Sequence, residues 1–182
     1  MHIKPDAIFT GIEYHPSPNQ DQRPDAKNIC GIVIHNISLP PGEFGGGWID
    51  DLFLNKLDPT AHPYFEKITD LRVSAHLLIR RDGEIIQYVP FYQRAWHAGV
   101  SQWDDRECCN DFTIGIEMEG CDEQNFESIQ YDQLATIILS LCDYYPQLST
   151  DRIKGHQNIA PGRKTDPGPY FDWELLTNLL KR

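Results

Sequence analysis

The 182-residue sequence contains no Cys-x-x-Cys pair, which removes the common zinc-finger and thioredoxin-type readings. It has no apolar run approaching the roughly 18 residues of a membrane span. Its start, Met1-His2-Ile3-Lys4-Pro5-Asp6, lacks the charged-then-apolar pattern of a signal peptide. Basic residues are scarce: 16 Lys and Arg stand against 27 Asp and Glu, a formal charge of -11. That balance argues against a nucleic-acid partner and against binding to an anionic membrane surface. A Ser-centred nucleophile elbow, a Walker loop and a dinucleotide fingerprint are also missing, and Gly45-Gly46-Gly47 is not followed by the Lys-Ser/Thr of a phosphate loop. The five cysteines (30, 108, 109, 121 and 142) are odd in number, so at least one is unpaired within a monomer. Free, mostly buried thiols in a reducing compartment are the expectation, and with them a soluble cytoplasmic protein.

What is present is ordinary globular material: 40% apolar and 24% charged residues, enough to exclude a disordered or fibrous chain. A chain of this length buries roughly 70% of its unfolded surface, so one domain spanning residues 1–182 is expected. Ile29 to His35 is an apolar, β-branched run that reads as a buried strand. Ala75 to Arg80 and Glu84 to Val89 flank Asp82-Gly83, a strong hairpin signal. Phe112 to Glu119 alternates, with Ile114, Ile116 and Met118 on one face and Thr113, Gly115, Glu117 and Glu119 on the other. Leu134, Ile137, Ile138, Leu141 and Tyr145 recur at helical spacing until Pro146, and Asp172 can cap a last helix carrying Leu175, Leu176, Leu179 and Leu180. Shorter helices are expected over 48–56 and 63–68. The mixture predicts an α/β (mixed) fold, a single domain with a central mixed β-sheet flanked by α-helices.

Three places could carry chemistry. His35 ends its strand at the rim of the sheet, where ligand sites tend to lie, although a histidine there can also simply cap the strand. Glu117 lies among isoleucines: either its face is solvated, or the carboxylate is paired or metal-linked, and Gly115 beside it leaves room. In the loop from Lys154 to Pro169, Pro167 disfavours the α region for Asp166. An extended approach would project Lys164 and Asp166 to the same side; otherwise they form a weak surface ion pair.

These residues sit in an ordered set that resembles the zinc N-acetylmuramoyl-L-alanine amidases. The set comprises His35-Asn36 through Glu43-Phe44, Val73-Ser74-Ala75-His76, Arg81-Asp82-Gly83-Glu84, Arg94-Ala95-Trp96-His97-Ala98-Gly99, Ile114-Gly115-Ile116-Glu117, Gly155-His156, and Arg163-Lys164-Thr165-Asp166-Pro167-Gly168-Pro169. It covers nearly the whole chain. Within that family the chain looks most like the members that act on 1,6-anhydro-muropeptides in bacterial cell-wall recycling. The resemblance implies one zinc ion per chain, held by His35, His156 and Asp166, with Glu117 as catalytic acid/base and Lys164 stabilising the transition state. It implies a small-molecule substrate, and a monomer is expected. Asn36, Arg72 and Trp96 are candidates for substrate binding, Trp96 as an apolar wall for the sugar or as core. Arg72 or Arg106 could pair with a peptide carboxylate. Arg106-Glu107-Cys108-Cys109 departs from the Arg-rich stretch expected before Asn110. His62, His76 and His97 are expected to be structural or to support the ligands. The Pro/Gly-rich stretch from Leu39 to Gly47 is a candidate for movement that admits substrate. A non-catalytic binding module would show a broken ligand set, and here the set is whole. Charge is uneven: ten acids and one base lie between Asp104 and Asp132, four bases and no acid between Arg152 and Lys164.

Overall fold

A computed structural model describes residues 1–181. In chain order the strands are β1 (Glu13–Tyr14), β2 (Gln20–Gln22), β3 (Gly31–Ile37), β4 (Leu77–Ile79), β5 (Ile85–Gln87), β6 (Gln93–Ala95), β7 (Gln102–Trp103), β8 (Arg106–Glu107), β9 (Thr113–Glu119) and β10 (Ile153–Gly155). The helices are α1 (Trp48–Phe53), α2 (Ser128–Tyr144), α3 (His156–Ile159) and α4 (Trp173–Leu180). Six strands form one mixed sheet in the order β1-β5-β4-β9-β3-β10. β3 runs parallel to both β9 and β10, β4 runs parallel to β9, and the β4–β5 hairpin is antiparallel. Two small ribbons, β2-β6 and β7-β8, stand outside it.

The alternation along β9 sorts its side chains between two different interiors. Ile114, Ile116 and Met118 join Ile32, Ile34, Leu77 and Ile79 in a core covered by α2 and α4, through Leu134, Ile137, Ile138, Leu141 and Leu176. The opposite face is not solvated. All seven residues of β9 are buried, so the open alternative of a wet face at Glu117 does not hold. That face is covered at one end by α1 and by a 3₁₀ turn at Phe65–Lys67, which pack Leu52, Phe53 and Phe65 on Leu78 and Ile86. Both long helix signals correspond to helices: Asp172 Oδ1 accepts the Leu175 N–H at 2.8 Å, and Pro146 follows the end of α2. The shorter helices expected over 48–56 and 63–68 contract to α1 and to the 3₁₀ turn at Phe65–Lys67. The short strands β1, β2, β6, β7, β8 and β10 and helix α3 carry too few residues for periodicity to reveal.

The thiols are free, but the expectation that most are buried fails: only Cys109 is buried, Cys30, Cys121 and Cys142 are half-buried, and Cys108 is exposed. They lie near the ends of strands and on the partly covered side of α2, where burial is incomplete.

The two interiors predict contrasting mutants. Ile116→Ala should destabilise the protein by about 2–5 kcal/mol by opening a cavity under α2. Leu139→Ala, on the exposed side of the same helix, should change stability by less than about 0.5 kcal/mol. Urea titration of both variants reads the difference.

Candidate active site

Sheet register assembles the site. β3 pairs with β9 so that His35 is level with Glu117, and both project from the face opposite α2 and α4. On the other side of β3, Gly155 of β10 is level with Ile34, and the next residue, His156, opens α3 beside His35. The third member comes from the loop after α3. The Gln157 N–H donates to the Asp166 carbonyl at 2.9 Å, and a Cβ on Gly155 would meet Pro167 at 2.7 Å, so the loop packs directly on a bare backbone.

His35 Nδ1, His156 Nδ1 and Asp166 Oδ2 converge to 2.9–3.1 Å from one another. Among the described residues this is the group of His, Cys, Asp or Glu placed to hold a metal ion. The donor chemistry fits one. The His156 Nε2–H donates to the Ala98 carbonyl at 3.0 Å, which in a neutral ring leaves Nδ1 with a bare lone pair. That lone pair faces a carboxylate and a second imidazole nitrogen across 3 Å, an arrangement that calls for a cation at its centre. Two imidazoles and one carboxylate also match the three-ligand pattern of a catalytic zinc site.

Glu117 lies in the same cavity, a cleft of about 550 Å³ lined by His35, Asn36, Trp96, Glu117, Lys164 and Asp166 among others. Its Oε2 is buried and has no hydrogen-bond partner in the protein. Burial raises its pKa well above the ordinary value, nearby Asp166 adds to the rise, and Lys164 opposes it. Burial also holds His35 down to about 4 and His97 well below the usual imidazole range, so both rings are neutral near pH 7. Beside these polar residues the cavity also has an apolar lining of Leu52, Phe53, Tyr64, Ile68, Leu71 and Val73.

The other expected residues divide. Asn36 lines the cavity, but its amide donates to Asp122 Oδ1 at 2.7 Å and to the Pro167 carbonyl at 3.0 Å, tying down the Asp166 loop. Half-buried Trp96 also lines it and donates from Nε1 to Asp21 Oδ1. Of the expected substrate-binding residues, Arg72 and Arg106 do not line the cavity. Arg72 folds back on the Thr69 and Leu71 carbonyls, and Arg106 lies 3.8 Å over the Phe112 ring. The cations that do line it are Arg163 and Lys164. The 39–47 stretch borders the cavity and is tied back: the Gly45 N–H donates to Glu119 Oε1 at 2.6 Å, and Arg81 lies over Phe44. Sequence reasoning missed Arg163, Thr113 and the apolar wall. Only Gly115 signalled the packing behind Glu117: a Cβ there would overlap the ring of His97.

The family model for N-acetylmuramoyl-L-alanine amidase matches residues 25–169, a span that contains every residue named above as lining the cavity. The chain belongs to that family. It is 61% identical over 174 residues to the 1,6-anhydro-N-acetylmuramyl-L-alanine amidase AmpD of Escherichia coli (strain K12), covering 96% of this chain and 94% of that protein. A crystal structure of a selenomethionine AmpD derivative superposes with a TM-score of 0.95 at 56% identity, covering 99% of both chains. AmpDh3 from Pseudomonas aeruginosa, solved in complex with anhydromuramic pentapeptide, superposes with a TM-score of 0.61 at 28% identity, covering 86% of this chain and 61% of that one.

The orphaned carboxylate gives the amidase a stability signature. Between the ordinary Glu value of about 4.3 and the raised value in the fold, the unfolded chain releases a proton that the folded one retains. Stability contributed by Glu117 is therefore complete below pH 4 and falls as pH rises through that window. Metal-free Glu117→Gln should be more stable than wild type by about 1–3 kcal/mol at pH 7 and nearly equal to it at pH 4. Urea unfolding at the two pH values measures this, and no gain at pH 7 would contradict the burial argument.

Proposed function

We propose that the chain is a zinc-dependent amidase of peptidoglycan recycling. It hydrolyses the amide between the lactyl carbonyl of 1,6-anhydro-N-acetylmuramic acid and L-alanine in anhydro-muropeptides. Supporting the substrate class are the identity to AmpD over 96% of the chain and the anhydromuramic pentapeptide bound by AmpDh3. The observation that carries the chemistry is the convergence of His35, His156 and Asp166 beside the unpartnered Oε2 of Glu117. The amidase domain is taken as residues 1–182, acting as a monomer in the cytoplasm. Five free thiols suit a reducing compartment.

In this reading His35, His156 and Asp166 hold the zinc ion. Zinc in such a site supplies Lewis acidity, polarising a carbonyl and making hydroxide available near neutral pH. Glu117 does the proton work. Ionised, its buried carboxylate takes a proton from the attacking water; protonated, it delivers that proton to the amine of L-alanine as the C–N bond breaks. A pKa raised by burial serves both halves, because it makes the anion a stronger base and keeps the acid in hand for the second step. Lys164 places an ammonium on the cavity wall, where it offsets the negative charge growing on the carbonyl oxygen. Asn36 holds the ligand loop and borders the substrate, and Trp96 with the apolar wall receives the sugar face. Arg163 and Lys164 are the cations available to a peptide carboxylate.

About one zinc per chain is expected by metal analysis. Mass spectrometry of a single anhydro-muropeptide digest should show free stem peptide, with intact purified wall releasing far less. Lys164→Ala should retain zinc and lose about 10²–10³ in turnover. Glu117→Ala should retain zinc and lose at least as much. Near-wild-type rates in both variants would sink the assigned mechanism.

A further inference from the structure

We infer that His97 is a positioning residue that, together with Thr113, fixes which nitrogen of His35 carries the proton. The inference rests on reading His35 as a metal ligand. A chain of three groups stands behind that ring: His97, Thr113 and the Cys109 carbonyl. The Thr113 hydroxyl lies 2.6 Å from the Cys109 carbonyl, which can only accept, so the hydroxyl proton is directed there. The same oxygen lies 3.3 Å from His97 Nε2 and, having given its proton to Cys109, meets that nitrogen as an acceptor. His97 Nε2 is therefore the protonated nitrogen of a neutral ring, and its Nδ1 carries the lone pair. His97 Nδ1 stands 3.0 Å from His35 Nε2. That contact is a hydrogen bond only if His35 donates from Nε2. The His35 proton is thus held at the back of the ring and Nδ1 is left bare, facing His156 and Asp166.

The ring of His97 has little freedom to do anything else. It is buried against Gly115, where a Cβ would overlap it, and its backbone N–H is held by Asn110 Oδ1 at 3.1 Å. The Ala98 carbonyl performs the same service for His156, and the next residue back supplies it for His35. One short stretch, His97-Ala98, therefore orders the protons of both imidazoles. If His97 were absent, the 3.0 Å partner of His35 Nε2 would be lost and both tautomers of His35 would be populated. Only one of them presents a lone pair to the cation.

The test uses metal-free protein and needs no turnover. Imidazole nitrogen NMR of wild type should show His35 protonated at Nε2 and bare at Nδ1, and protonation at Nδ1 would overturn the inference. In His97→Phe the His35 signals should become those of a tautomer mixture, and zinc affinity in competition with a chromophoric chelator should fall by about 10–100-fold. His97→Asn, whose side-chain oxygen can take the place of Nδ1, should recover most of that affinity. Thr113→Val should lose several-fold. Zinc affinity within twofold of wild type in folded His97→Phe would also overturn the inference. If wild type takes up no zinc yet shows the expected tautomer, the metal reading fails while the proton order stands. Circular dichroism establishes folding, and the wild-type NMR measurement stands even if His97→Phe does not fold.

Discussion

Parallel pairing of β3 with β9 sets His35 level with Glu117, and the rest of the site is built outward from that register. Adjacent strands lie about 4.8 Å apart and partners share a face, so the proposed ligand and the proposed acid/base group are neighbours before any loop is placed. β10 extends the same ladder by one strand and delivers His156 at the point where the sheet gives way to α3. Only Asp166 and Lys164 come from irregular chain. Their loop is tied down at Asp166 and just after it, by the Gln157 N–H of α3 to the Asp166 carbonyl and by Asn36 of β3 to the Pro167 carbonyl. Three rigid strands and one tethered loop provide the preorganisation that hydrolysis of an amide demands.

Electrostatics works against this site locally and at long range. A net charge of -11 repels an anionic stem peptide, and the cleft itself contains Glu117, Asp122, Glu123 and Asp166. Arg163 and Lys164 are the local answer, and both belong to the stretch in which bases outnumber acids four to none. Arg163 is partly committed to the protein, since its guanidinium donates to the Ala98 and Val100 carbonyls. Lys164 has no such partner among the described contacts, which suits its proposed role of meeting an oxyanion.

The long elements were legible because they carry enough residues to show a period. β9 announced its two faces through Ile114, Ile116 and Met118, and α2 its buried stripe through Leu134, Ile137, Ile138 and Leu141. What alternation alone left open was whether the Glu117 face is wet. A covered polar face and a solvated one have the same sequence pattern, and the cover comes from α1, Trp96 and His97, distant in the chain. The proposed ligand set was readable only through its resemblance to a family, because His35, His156 and Asp166 are separated by 121 and 10 residues and no spacing rule joins them. Two candidate arginines show a further limit of the sequence. Arg72 and Arg106 were candidates for a peptide carboxylate on charge, and charge does not reveal that one contacts carbonyls within its own turn and the other an aromatic ring. Gly115 was noticed for the space it leaves, and that space is filled by a histidine ring rather than by substrate.

The division of β9 by parity has a consequence for how such a chain can change. Its even-numbered residues hold the α2–α4 core, and its odd-numbered residues hold Glu117, the seat of His97 and the Glu119 anchor of the 39–47 stretch. Substitutions can therefore tune one side with little effect on the other, so chemistry and folding can drift independently along the same seven residues. A one-residue insertion or deletion is a different event, because it exchanges the two sides at once: isoleucines into the polar cleft and carboxylates beneath the helices. The strand that is freest to vary by replacement is the one least able to vary in length.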